Sequence, residues 1–316
     1  MNCSQTLHDK IEGAFVRPDF PTADRFMLME SDWTGHCRML GSDGLCMLQK
    51  ECGESAITEV CRVYPRSYKS ENGLLNACCS GSCEAVVELL LRTEPLCFRL
   101  ETQSQLSAGK AVHPEITETV GYDLASIFHY VVSVLQDRSH SLSDRIGIIS
   151  EKAGVSLAHR GLNEVFAHRP YITEDFSVLY NTILPIIKEF SDEAHSFAPF
   201  VAEFEDRYKD NRFTELFPGD LAAFESHFPD WSCYFENLIC NNMLYSSFPA
   251  VDSRVDPHKA VLGLSLEYTL LRVISICHTA VCSWSRESLV DAIAETYHIV
   301  EHTAFYYNTV LLLEEK

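Results

Sequence analysis

Beyond residue 120 the apolar positions recur at helical spacing. Over 123–138, Leu124, Ile127, Phe128, Val131, Val134 and Leu135 fall at i, i+3, i+4 and i+7 intervals and mark one helix face. The same pattern predicts helices over 143–156, ending near Gly154, and over 176–190 and 194–208, the last two kinked or shortened by Pro185 and Pro199. Helices over 221–228 and 234–245 follow, bounded by Pro218, Pro229 and Pro249. Pro257 stands in the first turn of the next, which runs to about Cys277, and 286–314 reads as one final long helix.

The first hundred residues read differently. Phe26-Met27-Leu28-Met29 suits a short strand, and 37–83 is loop-rich, punctuated by Gly41, Gly44, Gly53, Gly73 and Gly81. Short helices are expected at 47–51 and 54–61. Another, over 84–92, starts directly after Cys83 and puts that thiol at a helix N-terminus, where backbone N–H groups favour a thiolate. Residues 93–120 are polar, carry Pro95 and Pro114, and read as a linker. The expected architecture is mainly α: a cysteine-rich, loop-rich lobe over 1–92, the linker, and a helical domain over 121–316.

Composition narrows the function. The net charge of −20 argues against nucleic acid, whose phosphates require clustered Lys and Arg. Between Glu189 and Glu236 there are twelve acidic residues against Arg207, Lys209 and Arg212, which suits either a solubilising face or a surface for a lysine-bearing partner. The N-terminus has no apolar signal-peptide core. The longest apolar run, 261–281, contains Glu267, Arg272 and His278, so it reads as a buried core helix with no membrane span. A cytoplasmic protein is expected, in which thiols stay reduced and open to metal.

Nine of the thirteen cysteines precede residue 100. Cys37, Cys46, Cys61 and Cys83 form a C-x8-C-x14-C-x21-C series, and four soft thiolates suit Zn²⁺ or an iron–sulfur cluster. The spacing lacks the paired C-x2-C of a zinc ribbon, and buried free cysteines are often small packing groups. Cys233, Cys240, Cys277 and Cys282 lie in helical text and are read as packing; Cys78-Cys79 either ligate or line the site of Cys83.

The phrases around these thiols are more specific. His36-Cys37-Arg-Met-Leu-Gly-Ser-Asp-Gly-Leu-Cys46-Met-Leu-Gln-Lys-Glu-Cys-Gly-Glu, then Val60-Cys61-Arg-Val-Tyr-Pro-Arg66 and Cys83-Glu84-Ala85, resemble the flagellin lysine-N-methylase family. Further on, Gln136-Asp-Arg138-Ser-His-Ser-Leu142-Ser-Asp-Arg145 is similar to that family's Q-x-R-x-x-x-L-x-x-R helix pair, and Phe235-Glu236-Asn237-Leu238, ending at Phe248-Pro249, to its E-N…F-P helix. The resemblance implies a cytoplasmic bacterial methyltransferase acting from S-adenosylmethionine on lysines of flagellin or another lysine-bearing protein. It also implies an iron–sulfur cluster, of the 4Fe-4S type, on Cys37, Cys46, Cys61 and Cys83. Family members begin with a further C-x4-C-x3-C-C segment; only Cys3 precedes Cys37 here, as expected of an N-terminally shortened member.

Methylating a lysine requires its neutral amine, hence a base or a desolvated pocket, and aromatic faces that favour cations. Tyr297, His298, His302, Tyr306 and Tyr307 offer such groups, His298 and His302 sharing a helix face; a partly exposed structural histidine pair is the plainer reading. Tyr64 and Arg66 could orient substrate, or simply pack and neutralise thiolate charge. Glu236 and Asn237 could bind the donor's amino-acid end or join two helices. The sequence assigns no catalytic residue and no donor site. No G-x-G-x-G after a strand, P-loop or Ser-His-Asp set is readable. The alternative is a non-catalytic metal-binding or protein-interaction relative, holding Zn²⁺ or no metal.

Overall fold

The computed structural model describes residues 4–17, 27–29, 37–71, 74–98, 124–158, 176–193, 195–210 and 212–314. It is mainly helical and divides into two compact units, Met1–Tyr64 with Ala194–Ser196, and Pro65–Glu193 with Phe197–Lys316.

In the first unit, α1 (Gln5–Ala14) is capped by Ser4, whose hydroxyl accepts the Leu7 N–H at 3.2 Å. Strand β1 (Phe15–Val16) pairs antiparallel with β2 (Leu28–Met29). The turn from Gly41 to Leu45 closes through Gly44 at φ +75°, a conformation that favours glycine, and bridges Leu40 to Cys46. Helix α2 (Met47–Cys52) follows. The single helix expected over 54–61 is instead a 3-10 turn, Glu54–Ala56, and α3 (Glu59–Val63). The break arises because Thr58 adopts extended backbone and caps α3, accepting the Cys61 N–H. Leu7, Ala14 and Met39 form a small core, with Ile11, Phe15, Met29, Cys46 and Leu48 packed around it.

The second unit opens with a hairpin where loop was expected: β3 (Arg66–Glu71) pairs with β4 (Leu74–Cys79) in a register that sets Arg66 opposite Cys79. Asn72-Gly73, between the strands, is the dipeptide that most favours such turns. Helix α4 (Glu84–Leu90) begins at Cys83 as expected. Of the expected linker, 93–98 is irregular and 99–120 lies outside the described residues.

The helical part comprises α5 (Leu124–Leu135), α6 (Leu142–Ala158), α7 (Phe176–Glu193), α8 (Ala198–Arg207), α9 (Phe213–His227), α10 (Trp231–Tyr245), α11 (Ala260–Val281), α12 (Arg286–His302) and α13 (Phe305–Glu314). Proline punctuates less than expected. Pro199 occupies the first turn of α8, while Pro185 and Pro218 lie inside α7 and α9. An interior proline costs about 3 kcal/mol. Ile183, Ile186, Ile187 and Phe190 of α7 are fully buried, and each burial is worth about 1.5–3 kcal/mol, so packing prevails. The final helix is two: Thr303 turns extended and α13 restarts at Phe305, which buries Phe305 and Tyr306.

Helix α11 is the axis of this unit. It is long and apolar enough to cross a bilayer, yet α6, α8, α9, α10, α12 and α13 all pack on it. Between α7, α8 and α9 the rings of Tyr180, Phe204, Tyr208, Phe213 and Phe217 interlock, Phe213 stacking on Phe217 at 4.5 Å.

Candidate functional site: thiols and a buried carboxylate cluster

The four candidate metal ligands divide between the units. In the first, Cys37 is exposed, with Sγ 3.1 Å from the Met29 sulfur. Cys46 is the N-cap of α2 and packs on the small core, and Cys61 lies in the first turn of α3, its sulfur accepting the Thr58 hydroxyl at 3.1 Å. In the second unit Cys83 is the N-cap of α4. Three of the four thiols therefore stand at helix N-termini. Burial pushes the Cys78 thiol up to about 12 and raises that of Cys79, which the Arg66 charge partly opposes. Burial likewise raises Cys240 and Cys277, enclosed in the core as their helical context suggested.

The loop between β4 and α4, which leads into Cys83, closes on Glu301, a carboxylate that nothing in the sequence singles out. Glu301 of α12 accepts the Gly81 N–H at 2.8 Å, the Ser80 hydroxyl, and more distantly the Ser82 N–H at 3.4 Å. The loop comes this close because residue 81 has no side chain: a Cβ there would lie 2.7 Å from Cγ of Tyr297. The Tyr297 hydroxyl donates to Glu267 at 2.8 Å. Glu267, fully buried mid-way along α11, also accepts from Asn242 Nδ2 at 2.8 Å and the Tyr306 hydroxyl at 3.2 Å. Tyr306 covers Gly263, where a Cβ would meet its ring at 2.1 Å.

Burial dominates the electrostatics. It pushes Glu267 up to about 8, against three hydrogen bonds that favour the carboxylate, and Glu301 up to about 7, against the loop donors and the Lys69 charge. The site thus holds a carboxyl that is mostly protonated at neutrality beside one that exchanges its proton there. The sequence signal for Glu267 was an acid inside an apolar run; Glu301 had none.

The histidines play separate parts. His298 sits 3.7 Å from Glu295, whose hydrogen bond raises it, and His302 Nε2 meets the Ser82 hydroxyl at 2.8 Å. Packed on one side and open on the other, His302 is held below the ordinary histidine range, by burial first and His298 second. Tyr307 lies under the Arg254 guanidinium, 3.8 Å away.

The remaining quoted residues form one knot. Glu236, fully buried, receives Arg138 through two bonds of 2.9 Å and Arg145 at 2.8 Å. Asn237 donates to the carbonyls of Leu90, Arg92 and Glu94 and accepts the Leu96 N–H, while Gln136 donates to the Leu96 carbonyl. Their role is to join elements: α10 is tied to the segment after α4 and to the α5–α6 turn. Among the described residues, three ligand atoms of His, Cys, Asp or Glu come within 4.8 Å of one another at Glu203, His278 and Cys282. Cys282, read as a packing residue, is exposed there.

Comparison with protein-family models, with curated proteins and with solved structures finds no match to this chain.

Proposed function

We propose that the chain is an iron–sulfur-binding protein that transfers methyl groups from S-adenosylmethionine to lysine amines, on flagellin or another lysine-bearing protein. The observation that carries the reading is the carboxylate of Glu301, titrating near neutrality and hydrogen-bonded to the loop that leads into Cys83. A lysine ammonium has no lone pair. Glu301 accepts its proton, and the freed amine attacks the sulfonium methyl, forming the N–C bond as the S–C bond breaks and a neutral thioether leaves. Tyr297 and the protonated Glu267 hold the Gly81 loop in place. The four thiols have the donor chemistry a cluster takes, and a cluster bound to them would supply structural order or redox sensitivity. The interlocked Gln136, Arg138, Arg145, Glu236 and Asn237 support the same reading, since these are the helical residues on which the resemblance rests. The acidic 189–236 region suits a lysine-bearing partner.

The test is anaerobic preparation followed by iron, acid-labile sulfide and visible absorption measurements, with labelled methyl transfer to flagellin assayed in parallel. Brown protein and labelled lysines are expected. Colourless, iron-free protein after reconstitution would remove the cluster. Retained flagellin binding without transfer would mark a non-catalytic relative.

A further inference from the structure

Away from the carboxylate cluster, α8 and the C-terminal end of α11 bring a carboxylate, an imidazole and a thiol to one point. Nδ1 of His278 lies 2.6 Å from Oε2 of Glu203, and the Cys282 sulfur is 3.7 Å from Oε1 of Glu203 and 3.8 Å from Nδ1 of His278. His278 and Cys282 are four residues apart, hence on one face of the helix end, where the Cys282 N–H still bonds the His278 carbonyl. The Phe200 ring lies 4.6 Å from the His278 imidazole and fixes its plane. His278 is only 8% exposed, whereas Cys282 is open to solvent. A cleft of ≈ 570 Å³, lined by Asp206, Ala280 and Val281 among others, opens beside Glu203.

We propose that Glu203, His278 and Cys282 form a mononuclear transition-metal site for Zn²⁺ or a similar divalent ion, with three protein ligands. One thiolate, one imidazole and one carboxylate are donors that borderline ions accept together, and three protein ligands with a vacant position is the open form of such sites. Ordinary zinc bond lengths in a tetrahedron separate sulfur from nitrogen or oxygen by about 3.5 Å, and nitrogen from oxygen by about 3.4 Å. The sulfur is already within a few tenths of an ångström of that. Only the His278–Glu203 pair must open: Nδ1 takes the ion, and the neutral imidazole carries its one proton on Nε2. Cys282 binds as the thiolate, so binding releases its proton and tightens as pH rises. The donor set is separate from Cys37, Cys46, Cys61 and Cys83.

The experiment uses the full chain, stripped with chelator and kept reduced, titrated with Co²⁺ as an optical probe and with Zn²⁺ in competition. To remove the proposed cluster ligands from the reading, Cys37, Cys46, Cys61 and Cys83 are all changed to Ser. That variant is expected to bind one Co²⁺ with thiolate charge-transfer absorption, displaced by Zn²⁺. On this background Cys282→Ser abolishes the charge-transfer band, and Glu203→Gln weakens binding by at least about tenfold. Cys282 is exposed, so its substitution leaves the fold unchanged by circular dichroism, which separates ligation from structure. The proposal is overturned if the four-serine variant folds but binds neither ion. It is also overturned if Cys282→Ser and Glu203→Gln bind as their parent does. Should the four-serine variant not fold, the comparison is made on the unsubstituted chain, where each triad substitution must remove one equivalent of metal; unchanged stoichiometry in both overturns the proposal.

Discussion

Gly81 shows how one position can set the geometry of a site. A methyl group there would meet Tyr297 at 2.7 and 2.9 Å, and that ring is enclosed and held through its hydroxyl by Glu267, so it cannot give way. Gly81→Ala is therefore expected to cost about 1–3 kcal/mol in urea unfolding. Gly219→Ala is the control. It lies in the exposed interior of α9 with nothing within 4 Å of its Cβ position, and should stabilise by roughly 0.5–1 kcal/mol. Equal effects at the two glycines would contradict this account of the loop. For Glu301, if methyl transfer is the reaction, the rate should rise with pH through about 7 as the carboxylate ionises. Glu301→Gln should lose that limb and slow transfer by roughly 10²–10⁴-fold; an unaltered pH profile would exclude Glu301 as the base.

At the scale of elements, Glu236 is the junction. Two arginines converge on it, and Arg145 is itself only 3% exposed. Glu236→Ala leaves a buried guanidinium unpaired and should cost about 3–5 kcal/mol, read as a fall in the denaturation midpoint. Glu236→Gln keeps acceptor geometry and should cost less. This junction also explains what was legible in the chain. Gln136, Arg138, Arg145, Glu236 and Asn237 could be picked out as phrases, but that they meet could not, since they lie up to a hundred residues apart. The periodic faces of α5 and α6 were readable because local spacing alone defines them, and Cys83 was readable as a helix start. The interior prolines of α7 and α9 and the break at Thr303 were misread for one reason. Burial of Ile183, Phe217 and Tyr306 outweighs the local backbone preference, and that burial depends on partners distant in sequence. The β3–β4 hairpin was missed despite Asn72-Gly73, because the glycines that punctuate 37–83 drew a loop reading. Glu301 gave no signal, since an acid on an amphipathic helix is ordinary until a loop closes over it.

At the scale of the whole molecule, the buried Glu267 and the half-buried Glu301 set how stability responds to pH. Glu267 and Glu301 have pKa values of about 8 and about 7 in the folded protein, against 4.5 for an unperturbed glutamate. Between those limits the folded chain binds more protons than the unfolded one, so stability falls as pH rises. The favourable contribution is complete below about 4.5 and is lost as pH climbs through 7 and then 8. The net charge of −20 acts in the same direction, because compact anions repel. Asp43, Glu51, Asp137 and Asp252 oppose this only in acid: hydrogen bonds from Lys50, Ser4, Ser139 and Arg254 lower them, so their contribution is lost as pH falls below the usual carboxylate range. The protein should therefore be most stable near pH 5–6 and weaker at pH 8.5 by a few kcal/mol, a figure on the order of that expected from shifts of this size. Glu267→Gln mimics the protonated carboxyl and can still accept from Tyr297. It should match the wild type at pH 5.5 and exceed it at pH 8.5, halving the slope or more. Urea midpoints under reducing conditions at the two pH values measure this, and a wild type equally stable at both, or a variant with an unchanged slope, would show that Glu267 is ionised without penalty in the core.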